Sequence, residues 1–225
     1  MEKIKRLPYG ISNFESIRTE NYAYVDKTRF IEQLEKETNP YQFFIRPRKF
    51  GKSLFFSMLA NYYNINAADK FQSLFGDLYI GRYPTPKKNG YIVLKFNFSG
   101  ISTASEEDFA TSFSNIVQHY TGDCFNSYRN IFTDVNELIR KIENQNTGIQ
   151  SLLVLFGATQ LAGQQLFVII DEYDHFANDL IAMGNRMGDD IYRRMVRANG
   201  LVRDFYETLK IGTSNVVDRI FITGI

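Results

Sequence analysis

Tryptophan is absent from this chain of 225 residues, cysteine occurs once and histidine twice. A single thiol, Cys124, excludes an intramolecular disulfide and fits a reducing compartment. With one cysteine and two distant histidines, His119 and His175, the chain has no pair at zinc-ligand spacing. A charge excess is also missing: 26 Lys and Arg face 25 Asp and Glu, for a formal net charge of +1. No strong global field therefore draws the chain to nucleic acid or to anionic lipid. No apolar run approaches the length needed to span a bilayer, and Met1 to Gly10 contains no apolar signal core. The expectation is a cytoplasmic protein without a membrane partner. No internal repeat or low-complexity segment is found.

What is abundant is aromatic. Twenty Phe and 14 Tyr stand in a chain that is 44% hydrophobic and 23% charged. That composition can bury the core of one α/β domain, and the rings need no ligand to explain them.

The stretch Tyr41 to Ile45 is short, apolar and aromatic, as buried parallel strands are. It runs into Arg46, Pro47, Arg48, Lys49, Phe50, Gly51, Lys52 and Ser53, after which Leu54, Phe55, Met58, Leu59 and Tyr62 recur at helical spacing. Strand, glycine turn, Lys-Ser and helix is the arrangement that grips a nucleoside triphosphate by its phosphates. Gly51 lets backbone N–H groups approach, Lys52 reaches the β- and γ-phosphates, and the Ser53 hydroxyl sits on Mg²⁺. The pattern departs from G-x-x-x-x-G-K-[ST] at its first position, where Arg46 replaces glycine. A Gly-Lys-Ser tripeptide alone is weak, since a lysine after a turn is more often simply solvated.

A second motif supplies the other half of a site. Leu166 to Ile170 are five consecutive apolar residues, a strand buried on both faces, and Asp171 and Glu172 follow at its C-terminal end. This reads as a Walker B pattern beside the Walker A-like loop: Asp171 holds the Mg²⁺ and Glu172 orients and deprotonates the attacking water. An acidic turn before a helix is the bland alternative. The long separation of the two motifs leaves room for an inserted strand, for which Tyr91 to Phe98 is the candidate.

Five segments carry a family resemblance: Leu7 to Ile11 with Phe14; Tyr24 to Thr28; Arg46 to Ser53; Ile170 to Asp174; and Phe221 to Ile225. In this order they resemble the successive signatures of the bacterial and archaeal AAA-ATPase-like family, and the loop with Arg in place of the first Gly resembles that family's own. The resemblance covers nearly the whole chain. It implies a P-loop NTPase core of the AAA/RecA-like (ASCE) type, a parallel sheet flanked by helices, that binds ATP with Mg²⁺. It assigns Lys52 and Glu172 to catalysis, Ser53 and Asp171 to the metal, and Arg46 through Leu54 together with Thr223 to the nucleotide. Thr223, ending a strand, is placed as a polar sensor of the γ-phosphate. Asp26, Lys27 and Thr28 fall where such proteins line the adenine pocket. Full-length members of the resembled family typically carry a C-terminal domain resembling PD-(D/E)XK nucleases, whose motif has no counterpart near Asp171.

The organisation that follows is an N-terminal extension over residues 1–40 and a phosphate-loop domain over 41–225, expected to be truncated at its C-terminus. Residues 7–29 read as structured but not helical. Helices are expected over 30–37, 106–120, 135–143, 149–161 and 190–209, with a loop-rich stretch after the phosphate-loop helix and strands near Tyr41, Tyr91, Leu166 and Arg219. All four strands are expected to be parallel, the one ending at Thr223 separating the two that carry the motifs. Lys87 and Lys88 read as a solvated turn. Asp174 reads as a helix cap, His119 as structural, and Arg193, Arg194, Arg197 and Arg203 as a solvated face from which an arginine finger could come. Two functions follow: a Mg²⁺-dependent ATPase, a hydrolase that could be a homo-oligomer, or a slow nucleotide-dependent switch controlling a fused nuclease-like effector.

Overall fold

The computed structural model describes residues 5–47, 49–182, 190–196 and 200–224. Its centre is a four-stranded, all-parallel sheet of β1 (Tyr41–Ile45), β2 (Ile92–Asn97), β3 (Leu166–Asp171) and β4 (Val217–Gly224), in the spatial order β1-β4-β3-β2. The strand that holds Thr223, β4, thus separates the two that carry the sequence motifs. Helices cover both faces, because a parallel sheet needs a crossover between every pair of strands.

Alternation along the strands divides the interior into two layers. Leu166, Val168 and Ile170 of β3, with Ile92, Leu94 and Phe96 of β2 and Ile220 and Ile222 of β4, belong to one apolar cluster. That cluster is closed by α6 (Glu106–Ser127), α7 (Val135–Glu143), α8 (Gly148–Leu161), α9 (His175–Ala182) and α10 (Leu201–Gly212). Phe167 and Ile169, with Val93 and Phe221, face the opposite layer against α3 (Lys52–Tyr63), α1 (Phe14–Thr19), α2 (Arg29–Lys36), α4 (Phe71–Phe75) and α5 (Tyr79–Arg82). The division follows from the route. The chain crosses from β1 to the far edge at β2, then returns through β3 to β4, and keeping one crossover hand while reversing direction requires a change of face.

Several elements differ from the sequence reading. Residues 14–19 are helical: Asn13 Oδ1 accepts from the Ser16 amide at 3.0 Å, and the turn buries Phe14 and Ile17 completely. The stretch after α3 is not mere loop but contains α4 and α5, which bury Phe71, Leu74, Phe75 and Ile80. Helix α6 runs to Ser127, beyond the expected end at 120. The single helix expected over 190–209 is instead a π-helical turn (Tyr192–Val196) and α10, with Gly200 in extended conformation at the N-cap of α10. Lys87 is not free in solvent, since its Nζ donates to Asp218 Oδ2 at 2.7 Å. The segment before β1 belongs to the core, with Phe14 stacked on Phe75 at 5.0 Å.

Phe98, fully buried, sits among the rings of Phe96, Phe113, Phe176 and Phe205 at 5.2 to 6.3 Å. Phe98→Ala removes the hub of this cluster and leaves a cavity the rings cannot all fill. It should cost about 3–5 kcal/mol of unfolding free energy by urea titration.

Candidate functional site

Strand β1 delivers the chain to Arg46, whose amide donates to the Gly224 carbonyl at 3.4 Å, so the loop leaves flush with the end of β4. Lys49 and Gly51 then take left-handed conformations, φ +66° and +78°. A Cβ at Gly51 would meet nothing within 4 Å, so conformation and not space makes glycine the natural residue here. Arg46 is not among the residues with positive φ, which is why the first position of the loop tolerates a side chain. Arg48 lies outside the described residues.

Lys52 opens α3, and its ammonium donates to the carbonyls of Arg46 (2.5 Å) and Pro47 (3.2 Å). The lysine therefore arches back over its own loop. Pro47, Lys49, Phe50, Gly51 and Ser53 are exposed, while Leu54 is half-buried against the neighbouring core. Phe55 N–H is bonded to the Gly51 carbonyl at 2.9 Å, leaving the earlier amides of the helix as its open donors.

Two strands away, Asp171 ends β3. Its Oδ1 accepts from the Thr223 hydroxyl at 2.5 Å and from the Glu172 amide at 3.1 Å. Thr223 is completely buried. The sequence reading expects a sensor of the γ-phosphate at this position; in the structure its hydroxyl donates to Asp171 and orients that carboxylate. Glu172 has φ +53°, a left-handed conformation that costs a glutamate about 1–2 kcal/mol. The chain then folds back, Tyr173 N–H donating to the Thr223 carbonyl at 3.1 Å. A Cβ on Gly224 would lie 2.3 Å from the Tyr173 ring and 2.6 Å from Asp174 Oδ1, so glycine is required for this turn to close over β4.

Beside the loop lies a cleft of about 540 Å³ lined by Phe30, Leu34, Phe44, Phe50 and Phe55, with Lys27, Gln33, Glu37 and Arg46 among its polar residues. Phe44 stacks on Phe55 at 5.3 Å, and the Arg46 guanidinium lies over the Phe44 ring at 5.1 Å. The aromatic lining is the feature sequence reasoning missed; residues 30, 33, 34 and 37 at helical spacing were its only signal. Of the three N-terminal candidates only Lys27 lines this cleft. Asp26 accepts from Thr28 and from the Tyr79 amide, and Thr28 from the Ile80 amide, so both organise the start of α5. Burial pushes the Asp26 carboxyl up, but the Thr28 hydroxyl and the amides outweigh it and hold the group below its usual range.

Of the remaining candidates Arg193 is exposed, and several others are engaged locally. Arg194 pairs with Glu106 (3.1 Å) and Arg203 with Glu207 (2.7 Å), while Arg197 lies outside the described residues. His175 Nδ1 faces Asp179 at 3.2 Å, His119 faces Asp123 at 3.2 Å, and Asp174 accepts from the Asn178 amide side chain. Among the described residues no three His, Cys, Asp or Glu side chains are grouped to hold a metal ion, and no helix is long and apolar enough to cross a membrane.

A parallel α/β sheet with a glycine-turned lysine loop on one strand and a buttressed carboxylate on a strand beyond its neighbour defines a fold compatible with the P-loop NTPases. Residues 8–225 match the family described as "Predicted AAA-ATPase", and the chain belongs to that family. It is also 30% identical over 174 residues to an "Uncharacterized protein in vnfD 5'region" of Azotobacter chroococcum mcd 1. That alignment takes in 76% of this chain and 29% of the relative, so the chain spans less than a third of its relative's length. No solved structure matches.

Thr223→Val keeps the shape of the buried side chain but removes the donor to Asp171. Because the acceptor is a carboxylate, the loss should be about 1.5–3 kcal/mol of stability by denaturant titration at neutral pH.

Proposed function

We propose that this domain binds ATP with Mg²⁺ and hydrolyses it to drive or regulate an effector. The observation that carries the reading is the placement of β1 and β3 on the two sides of β4, which sets the Lys52 loop and Asp171 on either side of Thr223. Strands lie roughly 5 Å apart, so loop and carboxylate are separated by about 10 Å, a span suited to a triphosphate tail and its cation. The same strand order supports the AAA/RecA-like branch of the P-loop folds.

The donor set fits Mg²⁺. Asp171 and Ser53 offer the hard oxygens this ion prefers, and with so few protein ligands most of its coordination would come from phosphate and water. When bound, it would neutralise charge on the β- and γ-phosphates. Lys52, released from the Arg46 and Pro47 carbonyls, would turn to the phosphates. Asp171 accepts from Thr223 on one oxygen and can use the other towards the cation. Glu172 would accept a proton from the attacking water as the oxygen bridging the γ-phosphorus departs. The apolar cleft, within the size range of ligand pockets, would take the base between Phe30, Leu34 and Phe50.

A second reading, a slow switch controlling a fused nuclease-like domain, is favoured by the arginines: Arg194 and Arg203 are paired with carboxylates of their own chain. On that reading fast turnover awaits an arginine from a second copy or another partner, worth about 10³-fold or more.

Calorimetric titration with ATP, GTP and a non-hydrolysable analogue, with and without Mg²⁺, separates binding from turnover and fixes the base. Lys52→Ala should abolish or strongly weaken binding at unchanged melting temperature; unchanged affinity would refute the phosphate-loop assignment. Glu172→Gln should still bind while turnover drops about 10²-fold or more. If wild type and Glu172→Gln turn over equally slowly, the domain is a switch.

A further inference from the structure

Helix α2 has two working faces. Phe30, Gln33, Leu34 and Glu37 line the apolar cleft, whereas Ile31 is fully buried and Glu35 Oε1 accepts from the hydroxyls of Tyr63 (3.0 Å) and Thr85 (2.8 Å). A helix of eight residues is marginal by itself, and its last four carbonyls have no partner within the helix. Here two of those carbonyls are met from the sheet. Leu34 O accepts from Gln42 Nε2 at 2.6 Å and from Arg219 Nη1 at 2.7 Å, and Glu35 O accepts from Arg219 Nη2 at 3.0 Å.

Both donors come from strands that meet the phosphate site at their other ends. Gln42 lies on β1 and Arg219 on β4, each 8% exposed. The guanidinium is a cation at the negative end of the helix, with Asp218 Oδ2 3.8 Å from its Nε. Asp218 is itself fixed by Lys87 (2.7 Å) and the Tyr91 hydroxyl (2.9 Å). Such buried, multiply bonded groups define a single arrangement, because any unmade bond leaves a desolvated polar atom. The planar fork of Arg219 meets two successive carbonyls with two separate nitrogens in a fixed geometry, which the single ammonium of a lysine does not reproduce.

We infer that Arg219 and Gln42 are positioning residues for nucleotide binding: by holding the Leu34 and Glu35 carbonyls they set α2 as the wall of a base seat, in register with the phosphate loop on the same β1 strand. The inference rests on the nucleotide reading given above. Neither side chain would touch the nucleotide. Their effect passes through the angle at which Phe30 and Leu34 face Phe44 and Phe55, so it should be felt by a ligand with a base and not by one without.

The test compares two probes on the full chain by calorimetry, a non-hydrolysable ATP analogue and inorganic tripolyphosphate, each with Mg²⁺. Arg219→Ala and Gln42→Leu should weaken the analogue roughly tenfold, as small misplacements of a binding wall do, and leave tripolyphosphate within about twofold. Arg219→Lys, which can reach one carbonyl, should recover part of the loss. Lys52→Ala should lose both probes. Equal weakening of both probes by Arg219→Ala, or unchanged affinity for the analogue in every folded variant, overturns the inference. So does a wild type that binds tripolyphosphate as tightly as the analogue. A wild type that binds neither probe refutes the phosphate-loop reading itself. Should Arg219→Ala fail to fold, Gln42→Leu and Arg219→Lys decide the question alone.

Discussion

A parallel sheet has to be buried on both faces, and in this chain that requirement governs where chemistry can occur. Leu166, Val168, Ile169 and Ile170 have no exposed surface, and Phe167 has 1%. Strands so enclosed present polar groups only at their ends. Since all four run the same way, their C-terminal ends lie along one edge, and the loops leaving β1 and β3 both open there. The polar residues at that edge share their partners. Thr223 is buried between two strands and spends its hydroxyl on Asp171, while its carbonyl receives Tyr173. The carboxylate is consequently held in one orientation by the fold itself, which is the condition for electrostatic groups to act without reorganising.

The turn after Asp171 breaks local rules. Glu172 occupies a left-handed conformation that asparagine or glycine would adopt more readily, and Gly224 is kept bare so that Tyr173 and Asp174 can lie over it. Each departure has a cost, and the hydrogen bonds from Tyr173 and Glu172 into Thr223 and Asp171 offset it. Violations of this kind concentrate where side chains must be aimed and not merely packed. The loop on β1 makes the same departure once, at Lys49; its other left-handed position is taken by Gly51, and Arg46 sits where no special conformation is needed.

The parts of this architecture that were legible in sequence are those set by contiguous residues. Five apolar residues before Asp171 marked β3, and the glycine before Lys52 and Ser53 marked the loop, because strand burial and turn conformation are local demands. Parts set by distant partners were not legible. Lys87 looked solvated because Asp218 stands 131 positions away. Helices α1, α4 and α5 are too short for their periodicity to register and exist because Phe14, Phe71, Phe75 and Ile80 are buried by other elements. Thr223 could be placed at the strand end, but its commitment to Asp171 depends on a β3–β4 register that no composition reveals. The aromatic cleft combines α2, β1 and α3, and only their packing makes one surface of them.

The near-neutral net charge illustrates the difference between a global and a local field. A chain of formal charge +1 has no long-range pull on anions. Yet Arg46, Arg48, Lys49 and Lys52 fall within seven consecutive residues that contain no acid. Screening at physiological salt confines their influence to roughly 8 Å, which is the scale of a phosphate chain and not of a protein surface. Within that range Lys52 already rests on two carbonyl oxygens of its loop, a stand-in for the oxygens of an anion. The ammonium is therefore kept over the loop by neutral acceptors, which are weaker partners than a charged oxygen, so on the proposed nucleotide reading the geometry that satisfies the lysine alone would also direct it to phosphate.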